Sequence, residues 1–287
     1  MLRRQIPLLA SFKVTYRCNL RCTGCPFHRR AHEPGSHLGW KQALEALAEL
    51  QRIGCRFVIF EGGEPLLWRD GGHNFSDLAE QARSMFRKIG VTTNGSLSLD
   101  VPSDLLWVSL DGTREQHNRR RDGSFDQALH NIRVSKHRCI YIHYTVNREN
   151  IDDIPVLAET LASEPNIRGI TFQFFYPYHQ GELDLALSQA ERERAIRVIV
   201  KLKRSGILPV LNSSGTLKRM VRNTWHCRPW MLANVDPDGS LWTGCYLQQR
   251  GEIRCRHCGF TPVAEASRAL VLQPGALKAG WRIFFSN

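Results

Sequence analysis

"YRCNLRCTGCPF", residues 16–27, places Cys18, Cys22 and Cys25 within eight residues of one another. A closed structural metal site normally has four ligands, so three thiols on one short loop leave the donor set one short. Three readings are open. The loop holds a zinc ion whose fourth ligand lies elsewhere, with His28, His32 and His37 close in sequence; it is a disulfide remnant; or it is built to keep one position free. The flanking Arg17, Arg21, Arg29 and Arg30 are expected to favour the thiolate form.

The rest of the chain narrows this choice. Nine cysteines, an odd number, stand in 287 residues with no secretion signal, which argues against a disulfide scaffold and for metal or redox chemistry in a cytoplasmic protein. The opening "MLRRQIPLLASFKV" has a basic head, but its apolar run is short and meets Lys13 early. No apolar run reaches the roughly 18–20 residues of a membrane span. A hydrophobic fraction of 42% is that of a folded globular protein. The net charge of +12 is uneven: residues 1–30 carry seven Lys or Arg and no acid, and Arg119–Arg121 form a second cluster. This balance suits an anionic partner, such as a phosphorylated small molecule, a nucleic acid or an acidic membrane surface; a merely solvated basic face reads equally well.

Strand-like segments alternate with helical ones, the signature of parallel βαβ units. Strands are expected at 11–16, 56–61, 88–93, 105–110, 140–146 and 169–175. Helices are expected at 39–54, at 124–137 behind a Ser124 cap, at 150–164 behind an Asn150 cap, and at 188–206. Between the third and fourth strands Pro102 leaves room for a rudimentary helix only. Six strands are too few for a closed eight-stranded barrel, so the fold class is α/β, a partial (β/α)6 TIM-like barrel over residues 1–211. In such folds ligands bind in the loops after the strands. The cysteine loop follows the first strand, "GGEP" the second, "NGS" the third and "DG" the fourth, so the suggestive loops share one rim.

Beyond residue 211 the texture becomes turn-rich. Asp238-Gly239 marks a hairpin between "LANVD" and "SLWTG", and Cys227, Cys245, Cys255 and Cys258 follow a C-x17-C-x9-C-x2-C pattern. Residues 212–287 are thus expected to form a small cysteine-rich module, with zinc the reading of the terminal C-x2-C alone. Cys55 and Cys139 fall at the amino ends of strands, opposite the chemical rim, as buried apolar residues. One of each pair His143/Tyr144 and Gln173/Phe175 should face the barrel interior.

Taken in order, "CNLRCTGC", "FEGGEPLL" (60–67), "TTNGS" (92–96), "VSLDG" (108–112) and "HNRRRDGSF" (117–125) resemble the radical S-adenosylmethionine superfamily over roughly residues 8–260. The resemblance implies a [4Fe–4S] cluster on Cys18, Cys22 and Cys25, whose fourth iron takes the amine and carboxylate of S-adenosylmethionine. Reductive cleavage then yields a 5′-deoxyadenosyl radical that abstracts hydrogen from substrate. It further implies that Gly62, Gly63, Glu64 and Pro65 contact the methionyl amine, that Asn94, Ser109 and Asp111 make ribose or methionyl contacts, and that Arg121 takes the carboxylate. Turn-making and capping are the alternatives for these polar residues. Many relatives carry an aromatic just before the third cysteine; here Gly24 stands there, with Phe27 as the candidate replacement.

The second cysteine set resembles the twitch module, a shortened SPASM domain, and so implies an auxiliary [4Fe–4S] cluster on Cys227, Cys245, Cys255 and Cys258, as in aminocyclitol dehydrogenases. The leading expectation is oxidation or a related radical rearrangement of a small molecule, anionic ones included, driven by an external one-electron reductant such as flavodoxin or ferredoxin. Maturation of a peptide (RiPP) by crosslinking or epimerisation is the alternative, although the cluster loop begins too early to leave room for an amino-terminal leader-binding domain. An RNA-modifying or RNA-binding protein is the reading from a different class.

Overall fold

The structure is a computed structural model and describes residues 5–178 and 182–286. All six expected strands form: β1 (Leu9–Thr15), β2 (Phe57–Gly62), β3 (Lys88–Thr93), β4 (Leu105–Ser109), β5 (Ile140–Val146) and β6 (Ile167–Phe174). They lie side by side in chain order, every neighbouring pair parallel. Alternation explains why. Ala10, Phe12 and Val14, Val58 and Phe60, and Ile140, Ile142 and Tyr144 are fully buried in the main apolar core, beneath the helices. The intervening Ser11, Lys13, Glu61, Ser109, His143 and Gln173 must then face the other side, the barrel interior.

The crossovers are amphipathic helices. α1 (Trp40–Ile53) buries Ala43, Ala46, Leu47 and Leu50 and stops at the left-handed Gly54. α2 (Phe75–Met85), absent from the sequence expectations, is capped by Asn74, whose side chain accepts from Ser76 and Asp77. α3 (Arg114–Arg120) and α4 (Phe125–Val134) follow β4, and α5 (Asp153–Leu161) follows β5. Two capping expectations are corrected. Ser124 stands at the start of α4 but makes no side-chain cap; its hydroxyl donates to the Arg121 carbonyl. Asn150 lies outside α5 and instead donates to the carbonyls of Asp111 and Thr145. α6 (Gln189–Ser205) has the full reciprocal capping box of Ser188 and Glu191. The segment between β3 and β4 carries no helix.

The end of the chain is more helical than its turn-rich texture suggests, with α7 (Ser214–Met220), α8 (Thr261–Ala269) and α9 (Pro274–Phe284). The expected hairpin also forms, from β7 (Leu232–Val235) and β8 (Leu241–Thr243). It is not a separate layer: β7 pairs in parallel with β1, extending the sheet to eight strands. At the opposite edge Phe174 donates to the Gly259 carbonyl and Thr261 to that of Phe172. A Cβ on Gly259 would stand 1.9 Å from the Phe174 oxygen, so only glycine permits this approach. The cysteine-rich segment thus reaches from one edge of the parallel sheet to the other. At the amino-terminal end of the strands, Ile283 and Phe284 of α9 pack on Leu105, Trp107, Tyr141 and Leu211 and fill the bottom of the barrel. Cys55 and Cys139 are buried at that end, as expected.

Candidate active site

The strand ends bring the suggestive loops together by hydrogen bonds. The Gly63 amide donates to the Thr15 carbonyl at 2.7 Å and the Glu64 amide to that of Arg17 at 2.9 Å, so the GGEP loop is laid against the start of the cysteine loop. A Cβ on Gly63 would come within 2.2 Å of the Arg17 oxygen. Glu64 has no exposed surface. Its carboxylate accepts from Thr93 Oγ1 (2.8 Å), the Asn94 amide (2.8 Å) and the Leu66 amide (3.1 Å), and burial pushes its pKa up to about 7. The side chain therefore braces β2 against β3, and the groups this loop can present to a ligand are those of its backbone. Pro65 is buried beside it.

Asn94 reaches the cysteine loop directly, with Nδ2 3.0 Å from Asn19 Oδ1 and 3.7 Å from Cys18 Sγ. After β4, the Asp111 carboxylate accepts from the Thr145 amide at 2.7 Å and forms a buried ion pair with Arg121 Nε. The other face of the Arg121 guanidinium, its two η nitrogens, meets no protein acceptor among the described residues. Ser109, two residues before Asp111, is buried opposite His143. The arginine-rich segment is tied to the cysteine loop by Thr23 donating to the Arg120 carbonyl and by the Arg21 amide donating to Asp122.

The thiols themselves correct one expectation. Burial pushes Cys18 up to about 11 and Cys22 up to about 12, so these two thiols, when unligated, are protonated at neutral pH. Arg17, Arg21 and Arg29 point to solvent, and the cation that opposes burial at Cys22 is Arg121. The three thiols lie close enough to act on one another: Cys25 raises both Cys18 and Cys22. Yet no group of three or more His, Cys, Asp or Glu side chains among the described residues is arranged around a single ion. The histidines of the zinc reading are dispersed. His37 bonds Thr15 Oγ1 and the Arg69 carbonyl, while His28 and His32 line a concavity of about 330 Å³ together with Cys18, Arg17 and Arg21. A thiolate trio gripping different irons of one cubane needs wider spacing than a mononuclear site, and thiolates are the ligands such clusters take.

Gly24 adopts φ +80°, and a Cβ there would press within 3.0 Å of Phe175 and Leu185. The ring against this position is therefore Phe175, from the end of β6. Phe27 is drawn away, stacked on Tyr16 at 5.7 Å with Lys13 Nζ 4.9 Å above it.

The second set also gathers: desolvation of the Cys227 sulfur together with the neighbouring Cys258, Cys245 and Cys255 pushes that thiol up to about 12. Two residues that sequence reasoning missed hold its C-x2-C turn. Asn223, in a left-handed conformation, donates to the carbonyls of Cys255, Arg256 and Cys258. Arg192 of α6, 6% exposed, donates to those of His257 and Cys258.

Inside the barrel, a charge cluster was likewise invisible. Lys13, fully buried, pairs with Glu61 at 2.6 Å and lies 4.2 Å from the Tyr246 ring; Arg250 pairs with Asp236 at 2.7 Å. Burial lowers Lys13 to about 8, so it stays charged at neutral pH, while Lys13 and Arg250 outweigh burial and hold Glu61 below the usual range. His143 and Gln173, both half-buried, face the interior and Tyr144 belongs to the outer core; Phe175, two residues beyond Gln173, falls on the same face as Gln173 and not on the opposite one. Burial keeps His143 neutral, with its pKa down at about 4.

Comparison with known proteins supports the same reading. A family model described as the Radical SAM superfamily matches residues 12–161. Fe-coproporphyrin III synthase of Methanosarcina barkeri is 27% identical over 210 residues, covering 67% of this chain and 51% of that protein. The mycofactocin maturase MftC of Mycobacterium tuberculosis is 29% identical over 170 residues, 55% of this chain and 42% of that one. The chain spans about half the length of such curated relatives. Among solved structures, anSMEcpe with bound AdoMet superposes with a TM-score of 0.67 at 17% identity, over 90% of this chain and 80% of that one, a likeness of fold. Among the described residues no helix is long and apolar enough to cross a membrane. With the family model matched across β1 to α5, and the cysteine loop, the GGEP loop and Arg121 drawn to one rim, the chain belongs to the radical S-adenosylmethionine superfamily.

Proposed function

We propose that Cys18, Cys22 and Cys25 hold a [4Fe–4S] cluster, that S-adenosylmethionine binds between it and the GGEP loop, and that the enzyme abstracts hydrogen from a small polar molecule in the barrel, leading to its oxidation. One observation carries the reading: three mutually interacting thiols stand beside an arginine anchored at Nε with its η nitrogens open, next to a GGEP loop laid so close on the Tyr16–Arg17 backbone that a Cβ on Gly63 would clash with it. When bound, the cluster supplies the electron that cleaves S-adenosylmethionine to methionine and a 5′-deoxyadenosyl radical. This chain's residues do the rest. Arg121 offers a fork suited to the methionyl carboxylate, the backbone of residues 62–64 receives the amine, and Asn94 orients the loop through Asn19.

Glu61, His143 and Gln173 line the barrel beneath. Its charges are matched in pairs, Lys13 with Glu61, Arg250 with Asp236 and Arg121 with Asp111. That balance favours a neutral, hydrogen-bonding group on the substrate over an anionic one, whatever the external charge excess. Cys227, Cys245, Cys255 and Cys258 are assigned an auxiliary [4Fe–4S] cluster, a closed donor set suited to passing electrons. The similarity to a maturase favours a second reading, in which the polar group is a peptide side chain. The test is anaerobic reconstitution, reduction, and assay for 5′-deoxyadenosine with candidate small molecules and peptides. A reconstituted, reduced protein that never cleaves S-adenosylmethionine would sink the proposal.

A further inference from the structure

His117 joins both halves of the Asp111–Arg121 pair. It has no exposed surface and sits in α3, between the two in sequence. The Asp111 amide donates to its Nδ1 at 3.2 Å. That nitrogen therefore bears a lone pair, and the ring proton is on Nε2, 3.0 Å from Ser124 Oγ. The Ser124 hydroxyl in turn donates to the Arg121 carbonyl at 2.7 Å. The Arg121 amide closes the loop by donating to the His117 carbonyl at 2.7 Å. Each donor in this ring finds one acceptor, which fixes both the tautomer and the ring plane. Burial, reinforced by the Arg121 charge, brings the imidazole's pKa down to about 3, so it stays neutral and the lone pair facing Asp111 persists at working pH.

We propose that His117 is a positioning residue for the S-adenosylmethionine carboxylate: it clamps the backbones of Asp111 and Arg121 so that the Arg121 fork stays aimed beside the cysteine loop. This rests on the assignment of Arg121 to the carboxylate. An aspartate–arginine pair alone fixes one nitrogen of the guanidinium. The direction of the free edge depends on where the two backbones lie, and the His117–Ser124 relay sets that distance. An apolar ring of equal bulk would fill the space and lose both hydrogen bonds.

The test is equilibrium binding to the reconstituted, unreduced enzyme, where no turnover occurs. S-adenosylmethionine is compared with its decarboxylated analogue, for wild type, Arg121→Met, His117→Phe, His117→Asn and the double variant His117→Phe/Arg121→Met. Arg121→Met should weaken S-adenosylmethionine about tenfold or more and the analogue less than twofold, as expected for one lost charge-assisted fork. His117→Phe should copy that selective loss at about fivefold. His117→Asn, which keeps an acceptor for the Asp111 amide, should recover part of it. In the double variant His117→Phe should add less than twofold to Arg121→Met. Equal weakening of both ligands by His117→Phe, or a full further loss in the double variant, would show a merely structural role and overturn the proposal. If Arg121→Met is selective while His117→Phe binds like wild type, the positioning role fails and the Arg121 assignment stands. If Arg121→Met changes nothing, both fall.

Discussion

The two cysteine sites of this chain are built on opposite plans. The first draws all three thiols from one loop, and its surroundings are supplied by other strand ends: Asn94 from β3, the GGEP loop from β2, Arg121 from beyond β4. The second draws four thiols from three separate stretches and leaves Cys227 and Cys255 exposed. Its organisers, Asn223 and Arg192, hold the backbone of the C-x2-C turn. On the proposed assignment, a ligand set short by one, next to unused hydrogen-bonding capacity, is where S-adenosylmethionine would bind, and a set of four, braced from behind, is where an auxiliary cluster would be kept. The same residue type would then serve two ends, with the neighbours deciding which.

The largest effect should come from removing a first-loop thiol. Cys18→Ala is expected to abolish 5′-deoxyadenosine formation, a loss beyond a thousandfold, and to lower iron from about eight to about four per chain. Cys258→Ala should also lower iron by half yet keep uncoupled cleavage while losing product. If both variants lost cleavage equally, the distinction between an open and a closed site would collapse.

Gly63→Ala probes the cradle. Its methyl would overlap the Arg17 oxygen, so a cost of about 1–3 kcal/mol in stability is expected from overpacking, measured by denaturant unfolding of the unloaded protein. The same variant should weaken S-adenosylmethionine binding more than cluster retention. Asn223→Ala, by contrast, strips a donor from three carbonyls and should cost about 1–2 kcal/mol. Iron loss in this variant should come from the second site alone, seen as loss of one of two cluster signals by electron paramagnetic resonance.

The most gradual effect is a pH dependence. Glu64 has a folded-state pKa raised to about 7 against an ordinary value of 4.5. Between those values the folded protein holds the extra proton, so this group lowers stability as pH rises, at most about 1.4 kcal/mol per unit. His117 and His143 act in the other sense: their pKa values are depressed to about 3 and 4. The unfolded chain then takes up protons first, and stability is lost as pH falls below about 6.5. Glu64→Gln should flatten the profile between pH 4.5 and 7, and His117→Asn should flatten its acid limb. A profile in thermal unfolding that is already flat in the unsubstituted protein would show that these groups are less buried than their packing indicates.

Much of the rim was legible because it is local. Loops that follow strands carry Gly, Asn and Asp for reasons of backbone geometry, and a parallel sheet puts all such loops at one end. The six strands were readable from runs of Val, Ile and Phe. Helix α2 escaped because its apolar residues Phe75, Leu78, Ala79 and Ala82 are few and partly small, and the helices after residue 211 escaped because cysteine and turn signals dominate that stretch. Ser124 and Asn150 were misread as caps because a polar side chain at a helix start has several possible partners, and only packing selects one.

The sequence alone determined that three thiols stand on one loop with a donor missing, and that the loops after successive strands carry matching motifs. These follow from spacing and periodicity, properties of neighbours along the chain. The tertiary structure decided which side chains face the ligand space and which brace it. Glu64 turned inward, and Phe175 rather than Phe27 came to rest against Gly24. Lys13 found Glu61 within the barrel, and His117 came to link Asp111 with Arg121. Each outcome depends on groups many residues apart competing for the same donors and the same volume, and that competition is settled only when the sheet closes around them.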